Sequence, residues 1–192
     1  MKRIVTCLVL NLLFALPISA DTAEKFIFDN QHSYVQWQVE HFGFSNQTGK
    51  WFVNGELTLD KENPQNSKVV ATINLADLIT GLPKLDSELK DKQFFNIAQF
   101  PIAKFESNRV ELINSSTARV DGILTLHGRS EPISLNVKLN RTGKNPVTNK
   151  MTVGFSANTV LKRSDFGIKA YLPNIGDEVK IQIGAEAYQA DA

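Results

Sequence analysis

From residue 25 onward the chain is patterned in twos. Val35, Trp37 and Val39 alternate with Gln36, Gln38 and Glu40, the spacing that sends successive side chains to opposite faces of an extended strand, one face buried and one wet. The period returns at Val53/Gly55/Leu57/Leu59, Val69/Ala71/Ile73/Leu75, Val120/Gly122/Leu124/Leu126, Ile133/Leu135/Val137/Leu139, Met151/Val153/Phe155/Ala157 and Val179/Ile181/Ile183/Ala185. A sheet of so many half-buried strands exposes two unpaired edges unless it closes on itself. The pattern predicts an all-β chain with a closed sheet.

Eight strands are predicted, at Ser33–His41, Trp51–Leu59, Lys68–Leu75, Ile102–Ile113, Ala118–His127, Ile133–Asn140, Met151–Leu161 and Glu178–Tyr188, with a short leading strand at Lys25–Phe28 extending the first. The connections at Gly43–Gly49, Lys61–Pro64, His127–Ser130 and Thr142–Pro146 are brief and rich in turn residues, and short loops join antiparallel neighbours. An up-and-down barrel follows, with a β-sandwich as the alternative. A barrel of this size either fills its interior with side chains or holds one small ligand. Small residues at inward positions, namely Gly55, Ala71, Gly122, Gly154, Ala157 and Gly184 or Ala185, favour room along the axis, unless the glycines serve only to bend strands.

One segment breaks the alternation. Leu85 and Leu89 lie four apart behind Pro83, with Asp86, Ser87, Glu88, Lys90 and Asp91 covering the other faces, which predicts one short amphipathic helix. After it, Phe94, Phe95 and Phe100 gather where the chain re-enters the sheet. They are a plug for one end of the core or, alternatively, a lid or wall over a ligand channel.

Residues 1–20 have the layout of a cleaved secretory signal: Lys2 and Arg3, the apolar stretch Ile4–Leu16, then Pro17 and the exit Ile18-Ser19-Ala20. Residues 21–192 then form one domain, too short for two comfortable ones. The formal charge of +1 turns slightly negative once Lys2 and Arg3 are removed, and cations scattered singly among acids exclude a concentrated basic face for nucleic acid. The only cysteine is Cys7, inside the signal, so the exported domain has neither disulfide nor thiolate chemistry and must be held by its core.

Nothing in the sequence singles out a reaction. G-x-S-x-G, P-loop and G-x-G-x-x-G patterns are absent. The histidines are His32, His41 and His127, none at metal-ligand spacing, and His32 and His41 fall on opposite faces of a regular strand. No catalytic residue, metal or cofactor is assigned, and the chain reads as a binding protein. The densest polar cluster is Lys162-Arg163-Ser164-Asp165-Phe166-Gly167. It reads as a structural corner or, alternatively, as a barrel mouth where Arg163 meets a polar head group.

Around these residues the chain resembles the YceI-like family of exported bacterial proteins. The resemblance rests on Asp29–Ser33 with Val35, Trp37 and His41-Phe42-Gly43-Phe44-Ser45, then Thr80-Gly81, Leu85-Asp86, Phe94-Phe95-Asn96, Phe105-Glu106-Ser107, Val120–Gly128, Gly154–Ala157, Arg163–Gly167 and Ile175–Val179, in order, over Lys25 to Ala187. It implies an eight-stranded antiparallel lipocalin-like barrel with one short helix, in the bacterial periplasm, binding or carrying a long-chain amphiphile such as a polyisoprenoid, quinone-like lipid or a fatty-acid amide. Val39, Leu57, Ile73, Leu124, Leu135 and Phe155, with Phe94 and Phe95, are then the expected lining. His41, His127 and Arg163 are the expected head-group contacts. The alternatives are an accessory partner of a quinone-linked electron-transfer system, such as a membrane cytochrome, and a ligand-free structural stress protein with a filled interior. A homodimer is left open.

Overall fold

Two polar runs that carry no alternation turn out to be strand, and they complete the closed sheet. The computed structural model describes residues 23–190; the signal and its cysteine lie outside them. The segments are β1 (Ala23–Phe28), β2 (Tyr34–His41), β3 (Ser45–Phe52), β4 (Asn54–Asp60), β5 (Lys68–Asn74), α1 (Pro83–Lys90), β6 (Ile102–Leu112), β7 (Thr117–Leu126), β8 (Arg129–Lys144), β9 (Met151–Lys162) and β10 (Ile175–Gln189). β1 and β2 both pair with β10, while β4 pairs with β1 and β3 with β2. Each of these couples is therefore one stave with a break in it, and the sheet is a closed eight-stranded antiparallel barrel.

The connection predicted at Gly43–Gly49 is corrected. Only Phe42, Gly43 and Phe44 turn, and Ser45–Phe52 pairs with β2 from His41↔Ser45 to Tyr34↔Phe52. Ser45-Asn46-Gln47-Thr48 is polar on both faces, so periodicity is silent there and backbone pairing alone makes the strand. For the same reason Arg129-Ser130 and Thr142-Gly143-Lys144, expected in turns, belong to β8. The helix lies where Leu85 and Leu89 place it.

The break between β1 and β2 is stitched by polar groups. Asp29 N–H donates to the Glu186 carbonyl at 2.9 Å, and the Asp29 carboxylate accepts from Gln31 N–H at 3.0 Å. Buried Ser33 Oγ donates to the Glu186 carbonyl at 2.9 Å and accepts from its N–H at 3.0 Å. Both backbone groups of Glu186 are thereby satisfied where the ladder is interrupted. Shifts of register at Ser107/Arg109 in β6 and Leu139/Arg141 in β8 add the curvature a closed sheet needs.

Outward positions carry Gln36, Gln38, Asn136, Lys138, Asn158, Lys180 and Gln182. This polar-out, apolar-in arrangement is the reverse of a barrel that faces lipid. Buried side chains form three clusters, one at each end and one on the β6–β8 side of the wall, where Phe105, Val120 and Leu135 pack together. Trp37, Trp51, Leu75, Leu78, Leu89, Phe94 and Ile168 pack together at the α1 end. Phe26, Val153 and Ala187 pack with Leu57 toward the other.

Candidate ligand cavity

Between the two end clusters, and beside the one on the β6–β8 wall, the barrel is hollow, with a cavity of about 950 Å³. The wall is built by alternation: Val35 and Val39 from β2, Val69, Ala71 and Ile73 from β5, Val120, Leu124 and Leu126 from β7, Ile133, Leu135 and Val137 from β8, Phe155 and Ala157 from β9, Val179, Ile181 and Ile183 from β10. Val39, Ala71, Ile73, Leu124, Val137, Ala157 and Ile183 face inward yet are only half-buried. In a filled barrel such side chains would be buried against one another at crystal-like density. The alternative of a filled interior is therefore corrected.

Alanines, not glycines, make the room. Ala71, Ala157 and Ala185 line the cavity. The space a side chain would take at Gly122 is occupied by the Phe105 ring, 2.5 Å from where a Cβ would sit, and at Gly49 by the Trp37 indole at 2.6 Å. At Gly184 it is occupied by Tyr34, and at Gly55 by the backbone carbonyl of Val70. The expected contribution of Gly55, Gly122 and Gly184 to the hollow is thus overturned, because neighbouring rings and backbone move into the vacancy.

All eight residues expected to line a channel, Val39, Leu57, Ile73, Phe94, Phe95, Leu124, Leu135 and Phe155, lie on the wall of this one cavity. Phe94 is buried within the α1-end cluster, and Phe95 meets Trp51 edge-on at 5.2 Å, so both close that end while also facing the cavity. Phe100 does not join them; it packs on His127 at 5.0 Å.

The three expected head-group contacts part company. His41 faces the cavity near its α1 end, its ring edge-on to Phe42 at 4.5 Å. His127 does not reach the cavity; its Nδ1 meets the Phe166 carbonyl at 3.0 Å outside the wall. Arg163 borders the cavity, but its guanidinium is committed to backbone. Nε donates to Gly176 O at 2.8 Å, Nη1 to Ile168 O at 3.1 Å, and Nη2 to Ala170 O and Ile175 O, both at 2.9 Å. Four carbonyls, two in the β9–β10 connection and two at the start of β10, are thereby satisfied by one cation, and Arg163 is the structural corner rather than a head-group contact.

Burial pushes the Arg163 guanidinium below its usual range, with Asp177 opposing that. Asp177 itself, raised by burial, is pulled lower by Ser164, whose Oγ donates at 2.7 Å and N–H at 2.9 Å, and by Arg163. Among the described residues no three His, Cys, Asp or Glu side chains come together as a metal site would need. No helix there is long and apolar enough to cross a membrane.

Sequence reasoning missed Phe42, Gln47 and Tyr171, which frame the cavity at the α1 end, and Ser115, Ser116 and Thr142, which frame it at the other. All lie in turns or in strands without alternation. The pair of phenylalanines flanking Gly43 was the available signal, since aromatics are out of place in a tight hairpin turn.

A model of the YceI-like domain family matches residues 26–187. A UPF0312 protein of Pseudomonas aeruginosa is 33% identical over 159 residues, 82% of each chain. The structure of Burkholderia cenocepacia BcnA superposes with a TM-score of 0.75 at 20% identity, over 83% of this chain and 98% of that one. A polyisoprenoid-binding domain from Saccharophagus degradans superposes at 0.67 with 14% identity, over 86% and 98%. At those identities the two structural likenesses are ones of fold.

Proposed function

The chain belongs to the YceI-like domain family, and from that premise we propose that it binds a long-chain lipid, its apolar tail along the barrel axis. The observation that carries the reading is the cavity of about 950 Å³ walled by half-buried aliphatic side chains. At the roughly 30 Å³ that one water-sized group occupies, it has room for about thirty methylene-sized groups.

Burial of a methylene is worth about 0.8 kcal/mol. A tail filling the cavity therefore grosses about 24 kcal/mol, more than any non-covalent complex retains once ordering costs are met. Slow dissociation follows, and carriage through purification with it. Apolar walls select length and girth rather than chemical identity, which suits a polyisoprenoid or a fatty-acid amide better than a compact polar metabolite. The polyisoprenoid-binding domain of Saccharophagus degradans, which shares the fold, supports the isoprenoid choice. His41 and Gln47, on the wall at the α1 end, are the polar side chains we assign to the head group.

We place the activity in the periplasm, as a carrier or store rather than a catalyst, on the strength of the export signal at residues 1–20. Organic extraction of detergent-free protein from a periplasmic fraction, read by mass spectrometry, tests both parts. A stoichiometric long-chain lipid is expected. An empty extract with no uptake of added isoprenoid or fatty amide would overturn the binding reading, and recovery of the protein only from cytosol would overturn the location.

A further inference from the structure

We propose that the α1 end of the barrel docks on a lipid bilayer through the β2–β3 turn and the β9–β10 connection, so that a lipid passes between membrane and cavity without crossing water. The proposal rests on the binding reading for its purpose, but its evidence is separate.

Phe42 and Gly43 have φ of 54° and 73°, and Phe44 N–H returns to His41 O at 3.0 Å. This is a β-turn with left-handed backbone at both central positions, a conformation that favours Asn-Gly. An aromatic held there works against the local preference. The barrel has a second turn of this kind at His127-Gly128, with φ of 52° and 74°. There the non-glycine residue has an internal occupation, because His127 bonds the Phe166 carbonyl and packs on Phe100. Phe42 packs only edge-on against the adjacent His41 ring and is still 44% exposed, while Phe44 beside it is 92% exposed.

Tyr171 repeats the theme from the β9–β10 connection, with φ of 58° and 50% exposure. The two loops are tied together, Phe42 N–H donating to Asn174 O at 2.8 Å and Ile175 N–H to Tyr171 O at 2.9 Å. Phe42 and Tyr171 also border the cavity, so the exposed aromatics are continuous with its apolar wall. The opposite end differs. Its mouth is framed by Lys61, Ser115, Ser116 and Thr142, and its exposed apolar residues, Leu112, Ile113 and Val147, are aliphatic.

Three rings of at most about 250 Å² each fall short of the roughly 800 Å² per partner of a stable protein interface. Protruding Phe and an amphipathic Tyr are instead the side chains that settle at a bilayer's interface. Lys169, exposed two residues before Tyr171, adds a cation to the same loop.

The test is flotation of the protein with vesicles of phosphatidylethanolamine and phosphatidylglycerol. The variants are Phe42→Asn/Phe44→Ser and, as a control at the far end, Val147→Ser. Asn-Gly suits the turn, so the double variant should melt at or above the wild-type temperature, and lost binding cannot be ascribed to unfolding. The expected result is vesicle binding by wild type and Val147→Ser, and binding weaker by about ten- to a hundredfold in the double variant, the worth of one to two partly inserted rings. The proposal is overturned if wild type does not float, if the double variant floats equally well, or if Val147→Ser loses as much. Organic extraction of the same wild-type sample reports the cavity's content independently, so failure of docking and failure of lipid binding are told apart.

Discussion

Filling the cavity from its own wall separates a hollow barrel from a packed one. Ala71 on β5 and Ala157 on β9 both face inward, are half-buried and border the cavity, opposite Phe105 and Val137 respectively in their ladders. The double substitution Ala71→Leu/Ala157→Leu adds six carbons. At roughly 30 Å³ each they take about a fifth of the 950 Å³. In a packed core each enlargement costs about 1–3 kcal/mol in strain, so the pair would cost about 2–6 kcal/mol. In this structure the new methyls enter empty space, and the lipid-free variant should unfold within about 0.5 kcal/mol of wild type. The ligand bears the effect instead. Six methylenes of tail lose their place, about 5 kcal/mol of gross burial, so the longest tails should be lost and the extracted distribution should shift to tails shorter by about one five-carbon unit. Urea unfolding of delipidated protein and mass spectrometry of the extract read the two quantities separately. A loss of several kcal/mol with an unchanged lipid profile would refute the reasoning.

Four further outcomes follow from particular contacts. Ser33→Ala strips the Glu186 backbone of both its hydrogen bonds to the Ser33 hydroxyl and should cost about 1–3 kcal/mol in urea unfolding; a change under about 0.5 kcal/mol would sink the stitching role. Arg163→Met leaves four carbonyls unmatched, with an expected loss of about 3–5 kcal/mol and an unchanged lipid in whatever remains folded; a stable variant that had lost its lipid would restore Arg163 as a head-group contact. Gly49→Ala drives a methyl into the Trp37 indole and should destabilise by about 1–3 kcal/mol with a shift in tryptophan emission, whereas unchanged emission would mean the ring has room. His32→Gln breaks the 2.8 Å contact with Asp29. The His32 pKa is raised above 6.5 by the hydrogen bond and charge of Asp29. The Asp29 pKa, though burial lifts it, is drawn below 3.8 by His32 and Gln31. Stability from the raised imidazole is complete below its unfolded pKa and lost as pH rises through the folded one, while that from the carboxylate is lost as pH falls. The melting-temperature gap between wild type and variant should therefore be widest between those two values and close at alkaline pH; a gap independent of pH would exclude the ion pair.

The strands legible in the sequence were those with one dry face. Val35-Trp37-Val39 and Ile133-Leu135-Val137-Leu139 announce both their conformation and which way they point, and that is enough to put the expected lining residues on one cavity wall. β3 was illegible because Ser45–Thr48 buries little on either face and is held by ladder hydrogen bonds, which leave no periodic trace. The hollow itself was only partly legible. Composition counts small residues, but whether a glycine makes space depends on what leans over it, and Phe105 over Gly122 or Trp37 over Gly49 is a tertiary fact. Arg163 and His127 misled for a related reason. A polar residue at a strand end looks the same in sequence whether its partner is a ligand or a backbone carbonyl.

A hollow barrel must draw its stability from its packed clusters rather than from its axis, and the distribution of aromatic residues says where. Trp37, Trp51 and Phe94 are locked at the α1 end, Phe26 is buried toward the other, and Phe105 packs with Val120 and Leu135 on one side between them. The stretch between is lined mainly by Val, Leu, Ile and Ala, each giving part of its surface to the cavity. Rings of about 150–250 Å² carry the burial energy of the fold, and the hydrogen-bonded staves span the gap between the two end clusters. Several cluster residues also border the cavity, but wall positions outside the clusters, such as Val35 and Leu139, serve the ligand without carrying the fold. Substitutions at wall positions outside the three clusters, such as Val35→Ala or Leu139→Val, should alter which tail is retained with little effect on melting, because they enlarge a space already open. Phe26→Leu, buried away from the cavity wall, should lower the melting temperature and leave the retained tail unchanged. Were the wall variants as destabilising as Phe26→Leu, the interior would be acting as a packed core, and the division of labour between clusters and wall would be wrong.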